Sequence, residues 1–349
     1  MEREEAVRAA FAQQAAYCVQ LSSPFTALLC TLLGERLDRS SAIGRRILDW
    51  PGNSAPFGDA LALRVCGGLH FLVRSGAAPG LAALYPPAPL PEADALWQAL
   101  LPALEDEALG PWLDSTPQTN EVGRSAVLMS GLLVIAARFG LPLRLYELGA
   151  SAGLNLQPDR YGYDLGGLQA GDPASSLQLK PDWKGPPPPQ ADLRIVCRAG
   201  SDINPVPLAE ARERLIAYVW PEQADRLARL EAALALAAAD PPHLDRADAA
   251  DWIEAALPLA PEPGVTRTVM HSVAFHYFPE STRQRVAAHI EAAGAAARAD
   301  APLAWLRFEE QPGDAHFSLR LRTWPGDEQL LAWTHPHGKS VTWLVDNYR

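Results

Sequence analysis

No run of apolar residues in this chain approaches the roughly 18 that a helix needs to cross a bilayer. The N-terminal stretch MEREEAVRAAFAQQAAY is charged and lacks the apolar core of a secretory signal. Paired cysteines are missing too. Cys18, Cys30, Cys66 and Cys197 are scattered with no CxxC spacing, which argues against a zinc site or a disulfide framework and for buried thiols in a reducing compartment. Positive charge is also scarce. With 30 Lys and Arg against 41 Asp and Glu, the formal charge is −11, so nucleic acid is not an expected partner, because phosphate affinity rests on Lys and Arg. These absences together predict a cytoplasmic protein without a membrane partner. At 349 residues the chain exceeds one domain of about 100–200 residues.

Apolar residues at three- and four-residue spacing predict an all-helical N-terminal domain over 1–116, with helices over Glu4–Leu21, Pro24–Leu37, Phe57–Ser75 and Glu92–Trp112. The style changes after that. Thr119 or Asn120 is placed to cap a helix Glu121–Phe139, which leads through Gly140 and Pro142 into a strand, Leu143–Leu148. Strands are then expected at Leu193–Cys197, His243–Asp245, Val265–Ser272 and Leu303–Phe308, with helices at Glu222–Ala239, Ala249–Leu257 and Glu280–Ala293. The runs Phe317–Trp324, Glu328–Trp333 and Val341–Leu344 are separated by Pro-Gly and His-Gly turns and read as antiparallel. The fold class is therefore α/β over 117–349: a mostly parallel sheet with antiparallel C-terminal strands. An irregular Gly- and Pro-rich insertion at 157–192 reads either as a lid or as an insertion with its own small strands; it is expected to fold over the site or against the helical domain, with an ordered insertion packed on a distant face as the alternative.

Leu141–Leu156 reads as a buried strand, a turn of small residues and a helix start, with one acid, Glu147, at the strand end. Two chemistries fit its heart. As acid-x-Gly-x-x-x-Gly, the loop lets a nucleotide-like ligand approach the backbone at Gly149, Ser151 and Gly153. As Gly-x-Ser-x-Gly, it presents Ser151 as the nucleophile of an α/β serine hydrolase. In open α/β sheets ligands sit beyond the carboxyl ends of the strands. Asp202 stands after the next strand, suited to accept from a ribose diol, or simply to make an Asx turn. Asp248 follows the strand after that, suited to an adenine amino group or to capping the next helix. His271, His276 and Tyr277 follow the fourth strand. A catalytic triad would draw on His316, His335 or His337. His335-Pro-His337 is better read as a turn than as a metal site, and no metal is expected.

The segments Glu147-Leu-Gly-Ala-Ser-Ala-Gly153, Gly200-Ser-Asp-Ile-Asn-Pro205 and Ala247-Asp-Ala-Ala-Asp-Trp252 resemble the successive cofactor motifs of class I S-adenosylmethionine-dependent methyltransferases. The whole chain, including Gln118-Thr-Asn-Glu-Val-Gly-Arg124, also resembles an uncharacterised bacterial family, domain of unknown function 2332. The first resemblance implies a Rossmann-like sheet and S-adenosylmethionine held by Glu147, Gly149, Ser151, Gly153, Asp202 and Asp248. It implies Arg124, one turn beyond Asn120, beside the cofactor's carboxylate, whereas local pattern alone reads Asn120 as a surface cap and Arg124 as a solvated side chain. It also implies a small-molecule acceptor near His271, His276 and Tyr277, with a histidine as base if the acceptor must lose a proton. The sequence departs from the motif at three places. Ser151 replaces the middle glycine, Pro158 shortens the following helix, and Asp202 lies 55 residues beyond Glu147. A non-enzymatic derivative of the fold and a serine hydrolase using Ser151 are the alternatives.

Overall fold

Helices form over each N-terminal segment where apolar spacing predicts one, and a further one forms at Ala42–Leu48. A computed structural model describes residues 2–310 and 317–346. One unit comprises Met1–Thr119 and Arg212–Leu227. Its helices include Glu2–Gln20, Pro24–Arg36, Ala42–Leu48, Leu61–Arg74 and Ala93–Ala103. Phe11, Leu29, Leu33, Ile47 and Leu69 are among the residues of its core. The single helix expected over Glu92–Trp112 is broken: it stops at Ala103 and restarts as Gly110–Asp114. Pro102 lies inside the last turn of the first piece and Pro111 opens the second, because proline lacks the N–H a helix interior needs but fits a helix start. The returning segment brings Tyr218 onto Gly67, where a Cβ would lie 2.6 Å from the Tyr218 ring. Glu222 accepts from both the backbone N–H and the hydroxyl of Thr26. A linear division at residue 116 does not capture this return.

The second unit comprises Asn120–Ala211 and Ala228–Arg349. Its first strand is β1 (Leu143–Leu148). The insertion then supplies β2 (Gly162–Leu165), β3 (Leu168–Gly171), β4 (Gln178–Leu179) and β5 (Asp182–Lys184). The chain continues through β6 (Ile195–Asp202), β7 (Leu244–Arg246), β8 (Thr266–Ser272) and β9 (Leu303–Glu310). It ends in β10 (Phe317–Trp324), β11 (Glu328–Thr334) and β12 (Ser340–Trp343). Among the described residues, nine strands make one sheet in the order β5-β12-β11-β10-β9-β8-β1-β6-β7. Neighbours from β9 through β7 are parallel, and β9 through β12 are antiparallel. The unit is thus a mixed α/β structure built on a large, mostly parallel sheet. Chain order runs outward from β1 to β7, then resumes on the other side of β1 with β8 and β9. The direction of winding therefore reverses between β1 and β8.

Side-chain alternation assigns each face of the sheet. Leu143 and Leu145 join Leu306, Phe308 and Leu319 under the helix Arg124–Phe139. Tyr146 and Leu148 face the other way, with Val269 and Trp305, toward the helices Ala249–Ala256 and Glu280–Ala295. The insertion differs from the expected lid. β2, β3 and β4 form a separate sheet, and β5 pairs in parallel with β12 at the far edge of the main one. Tyr161 and Tyr163 are wholly buried, and Tyr163 shares a 2.8 Å hydrogen bond with Ser125 of the helix Arg124–Phe139. This burial fixes the insertion as part of the core, which a free-swinging loop could not supply.

Gly131 gives Leu306 its seat: a Cβ at Gly131 would lie 2.4 Å from Leu306 Cδ1. Because Leu306 is fully buried, Leu306→Ala is expected to lower the stability of this unit by about 2–5 kcal/mol, read as a lower urea midpoint with an unchanged m-value.

Candidate functional site at the end of the first strand

Alternation along β1 puts Glu147 on the same face as Leu143 and Leu145, under an apolar helix. It is 2 % exposed, and its Oε2 is buried without a hydrogen-bond partner. Burial pushes its carboxyl well above the ordinary carboxylate range. The nearby charge of Asp202 adds to the rise, and Arg124 opposes it. An acid in this state favours its neutral form.

The loop beyond Glu147 turns through left-handed backbone at Gly149 (φ +69°), Ser151 (φ +55°) and Gly153 (φ +75°). Such a φ is natural for glycine and uncommon for serine. Cross-bracing holds it. Gly149 and Ala150 donate to the Ser201 carbonyl at 2.9 and 3.0 Å, and Ser151 N–H donates to Asp202 Oδ2 at 2.9 Å. Ala152 and Leu154 N–H both donate to Asn120 Oδ1, at 3.2 and 2.9 Å. These amides serve the loop's own fold. A Cβ on Gly149 would lie 2.7 Å from the Ala274 Cβ, so this glycine also admits the segment following β8. The Oγ of Ser151 is buried without a partner.

Several expectations are corrected here. The loop does not open an α-helix: it enters two short 3-10 turns, Leu154–Leu156 and Pro158–Arg160. Pro158 has no N–H with which to extend a helix. The preceding helix starts at Arg124 rather than Glu121. Asn120 caps the glycine loop, not that helix. Arg124 is not a solvated surface residue. It is 9 % exposed and donates to the Ser272 carbonyl through Nη1 and to the Pro336 carbonyl through Nε, both at 3.0 Å. It thereby ties the end of β8 to the turn after β11, with its charge felt at Glu147.

The two aspartates carry structural work. Asp202 also accepts from Asn204 N–H at 2.8 Å, an Asx turn. Asp248 caps the helix Ala249–Ala256 through bonds from Ala250 and Asp251 N–H, and its other oxygen accepts from the Thr282 hydroxyl at 3.0 Å. Glu147, Asp202, Arg124, Asn120 and the loop are brought together at the end of β1, whereas Asp248 is tied to a neighbouring helix.

At the end of β8, His271 is fully buried. Its Nδ1 lies 2.6 Å from Glu309 Oε1, and its Nε2 accepts the Trp305 indole N–H at 3.1 Å. With both nitrogens engaged, His271 has no lone pair for a substrate. His276 Nδ1 lies 3.4 Å from Glu309 Oε2, and Tyr277 is 59 % exposed. Glu309 also accepts from Ala274 and Phe275 N–H at 3.1 and 3.2 Å. Burial pushes its carboxyl up, but the hydrogen bonds from His271 and His276 outweigh this and lower it from 4.5 to about 2. These bonds hold Val273 at φ +53°, a conformation that costs a β-branched residue about 1–3 kcal/mol. Sequence reasoning missed Glu309. The usable signal was an acid near the end of an otherwise apolar strand, the signal that exposed Glu147. His335 Nδ1 accepts from His337 N–H at 3.1 Å, a turn as expected. Among the described residues no cluster of three or more candidate ligands could hold a metal. His316 lies outside the described residues.

A 660 Å³ cleft flanks the loop, lined by Ala152, Val206, Pro242, Leu244 and Arg246 among others. Its walls are mainly apolar, and Arg246 supplies positive charge. A second cleft of 540 Å³ lies along the insertion, beside Met129, Asp159 and Gly171.

Residues 8–343 match the family described as "Uncharacterized protein conserved in bacteria (DUF2332)", and the chain belongs to that family. No curated protein and no solved structure matches it. No helix among the described residues is long and apolar enough to cross a membrane.

Two outcomes follow from these environments. An acid whose folded pKa is raised holds its proton more tightly folded than unfolded, so it costs stability as pH climbs above its unfolded value. Glu147→Gln is therefore expected to raise the melting temperature at pH 8, with the gain over the parent protein vanishing toward pH 4. Glu309 has the opposite sign: its lowered pKa contributes stability that is full above pH 4.5 and is lost as pH falls toward 2. Glu309→Gln is expected to flatten that acid limb in denaturation midpoints measured across pH.

Proposed function

We propose that the second unit of this DUF2332 member is a Rossmann-like, class I methyltransferase-like domain that binds S-adenosylmethionine and methylates a small-molecule acceptor. The observation carrying this reading is Glu147: a buried carboxyl with a partnerless Oε2, at the sheet position where winding reverses. Open α/β sheets bind ligands outside the carboxyl ends of their strands at such a reversal. A ligand ammonium would supply the missing partner and draw Glu147 into its ionised form. Arg124, whose charge is felt at Glu147, would balance a ligand carboxylate. Asp202, at the end of the neighbouring strand β6, would accept from a ribose hydroxyl. The apolar cleft bounded by Val206, Leu244 and Arg246 suits a flat base. Asp248 fits a cofactor less well, since capping already occupies it. The sulfonium of the bound cofactor would supply an electrophilic methyl group. The chain would contribute in-line positioning and exclusion of water.

Two other readings have an observation each. The occupation of loop amides by Asn120 and Asp202 favours a non-enzymatic derivative. The left-handed Ser151 with its partnerless Oγ favours a serine hydrolase. Against the latter, Ala152 N–H, the oxyanion donor such an elbow uses, is already given to Asn120.

S-adenosylhomocysteine is expected to raise the melting temperature, since a ligand at 100 times its Kd stabilises the native state by about 2.7 kcal/mol. Glu147→Gln is expected to remove most of that shift, while Ser151→Gly preserves it and a fluorophosphonate probe leaves Ser151 unlabelled. No shift at millimolar ligand would favour the non-enzymatic derivative, and stoichiometric labelling of Ser151 would favour the hydrolase.

A further inference from the structure

The parallel pairing of β1 with β8 sets Arg144 directly across from Arg267. Both side chains therefore leave the sheet on the face that carries Tyr146 and Val269. They stand near the amino-terminal ends of their strands, at the other end of β1 from Glu147 and on the opposite face. Arg267 is fully buried. Its Nη1 donates to the Pro258 and Ala260 carbonyls at 2.6 and 3.1 Å, while its Nε and Nη2 are buried without a hydrogen-bond partner. Arg144 repeats the pattern less deeply. Its Nη2 donates to Glu262 Oε1 at 2.9 Å, and its Nε is buried without a partner.

A cation beyond the end of the helix Ala249–Ala256 suits the helix dipole, and that accounts for Nη1 of Arg267. It does not account for the rest. Like charges at facing positions repel, and a buried charge is costly unless it is paired. The two guanidiniums and the Glu262 carboxylate together leave one positive charge. The unused donors of Arg267 also share one edge of its planar fork: Nε and Nη2 are the pair that grips a carboxylate or phosphate through two parallel N–H···O bonds. Tyr146 lies two residues along β1 on the same face, and the charges of Arg144 and Arg267 both bear on its hydroxyl. The cluster is open to water on one side, since the side chains of Arg144 and Glu262 are 32 % and 40 % exposed.

We propose that Arg144 and Arg267, with the Tyr146 hydroxyl beside them, form an oxyanion site at the amino-terminal ends of β1 and β8. It takes the carboxylate or phosphate group of a small molecule, and it is separate from the Glu147 site and independent of what that site binds. The anion lies along the Nε–Nη2 edge of Arg267 and reaches the Nε of Arg144. A carboxylate matches the single positive charge with Glu262 in place. A phosphate dianion carries more charge than the cluster can balance, so it displaces Glu262 from Arg144.

The test reads the guanidinium Nε–H signals in ¹H–¹⁵N spectra of arginine-labelled protein, titrated with acetate and with inorganic phosphate at constant ionic strength. Sodium chloride is the control. Arg144→Lys and Arg267→Lys assign the two signals. Acetate, phosphate or both are expected to move the Arg267 and Arg144 signals along a saturating curve, whereas chloride leaves them in place. The anion that saturates at the lower concentration identifies the carboxylate or the phosphate source. Excluded salts stabilise any folded protein, so melting temperatures are compared across variants. The rise with the tighter anion is expected to shrink in Arg144→Gln, a partly exposed position, while a general salt effect would survive there in full. Parent spectra and this variant suffice if Arg267→Lys does not fold. Signals that stay fixed with both anions, or that move equally with chloride, overturn the proposal, as does an undiminished thermal rise in Arg144→Gln.

Discussion

A carboxyl group buried without a full set of partners is the constraint around which the second unit is arranged. Isolated in an apolar medium, an ionised carboxylate is so costly that the group keeps its proton instead. Glu147 is in that position, with Leu145 and the helix Arg124–Phe139 on its own face of the sheet and the charge of Asp202 nearby. An unconstrained core would replace it with Leu or Met at a gain in stability. On the function proposed above, its presence at the winding reversal of the sheet is a stability cost that binding would offset, the trade that ligand sites commonly make.

The neighbouring groups follow from that placement. Asn120 and Asp202 take the N–H groups of the loop, so the backbone after β1 is rigid without a helix to follow it. Arg124 opposes the pKa rise of Glu147 and anchors the end of β8. Glu309 repeats the arrangement two strands over with the opposite balance. It is half-buried, and the hydrogen bonds from His271 and His276 outweigh desolvation and lower its carboxyl to about 2. Two acids at the ends of strands on either side of β8 thus have their carboxyls pushed in opposite directions by their local partners.

Much of this was legible in the sequence because it depends on local pattern. The strand–turn boundary at Leu148–Gly149, the alternation of strands and helices and the antiparallel ending all follow from hydrophobic period and turn residues. Asp248 as a helix cap and Asp202 as an Asx turn were both among the local readings. What was not legible depends on contacts distant in sequence. Asn120 resembles a helix cap until the loop 32 residues later offers it two N–H groups. Arg124 looks exposed until Ser272 and Pro336 provide carbonyls. The return of Arg212–Leu227 to the helical unit depends on the match of Tyr218 to Gly67, which no local pattern encodes.

The central claim is that Glu147 waits, neutral, for a cationic partner. Infrared difference spectroscopy reads this directly. In the free protein, the carbonyl stretch of a protonated buried carboxylic acid is expected, absent from Glu147→Gln. On addition of S-adenosylhomocysteine that band should disappear and a carboxylate band should replace it. A Glu147 band already in the carboxylate region in the free protein, or an acid band that persists in the complex, would contradict the account.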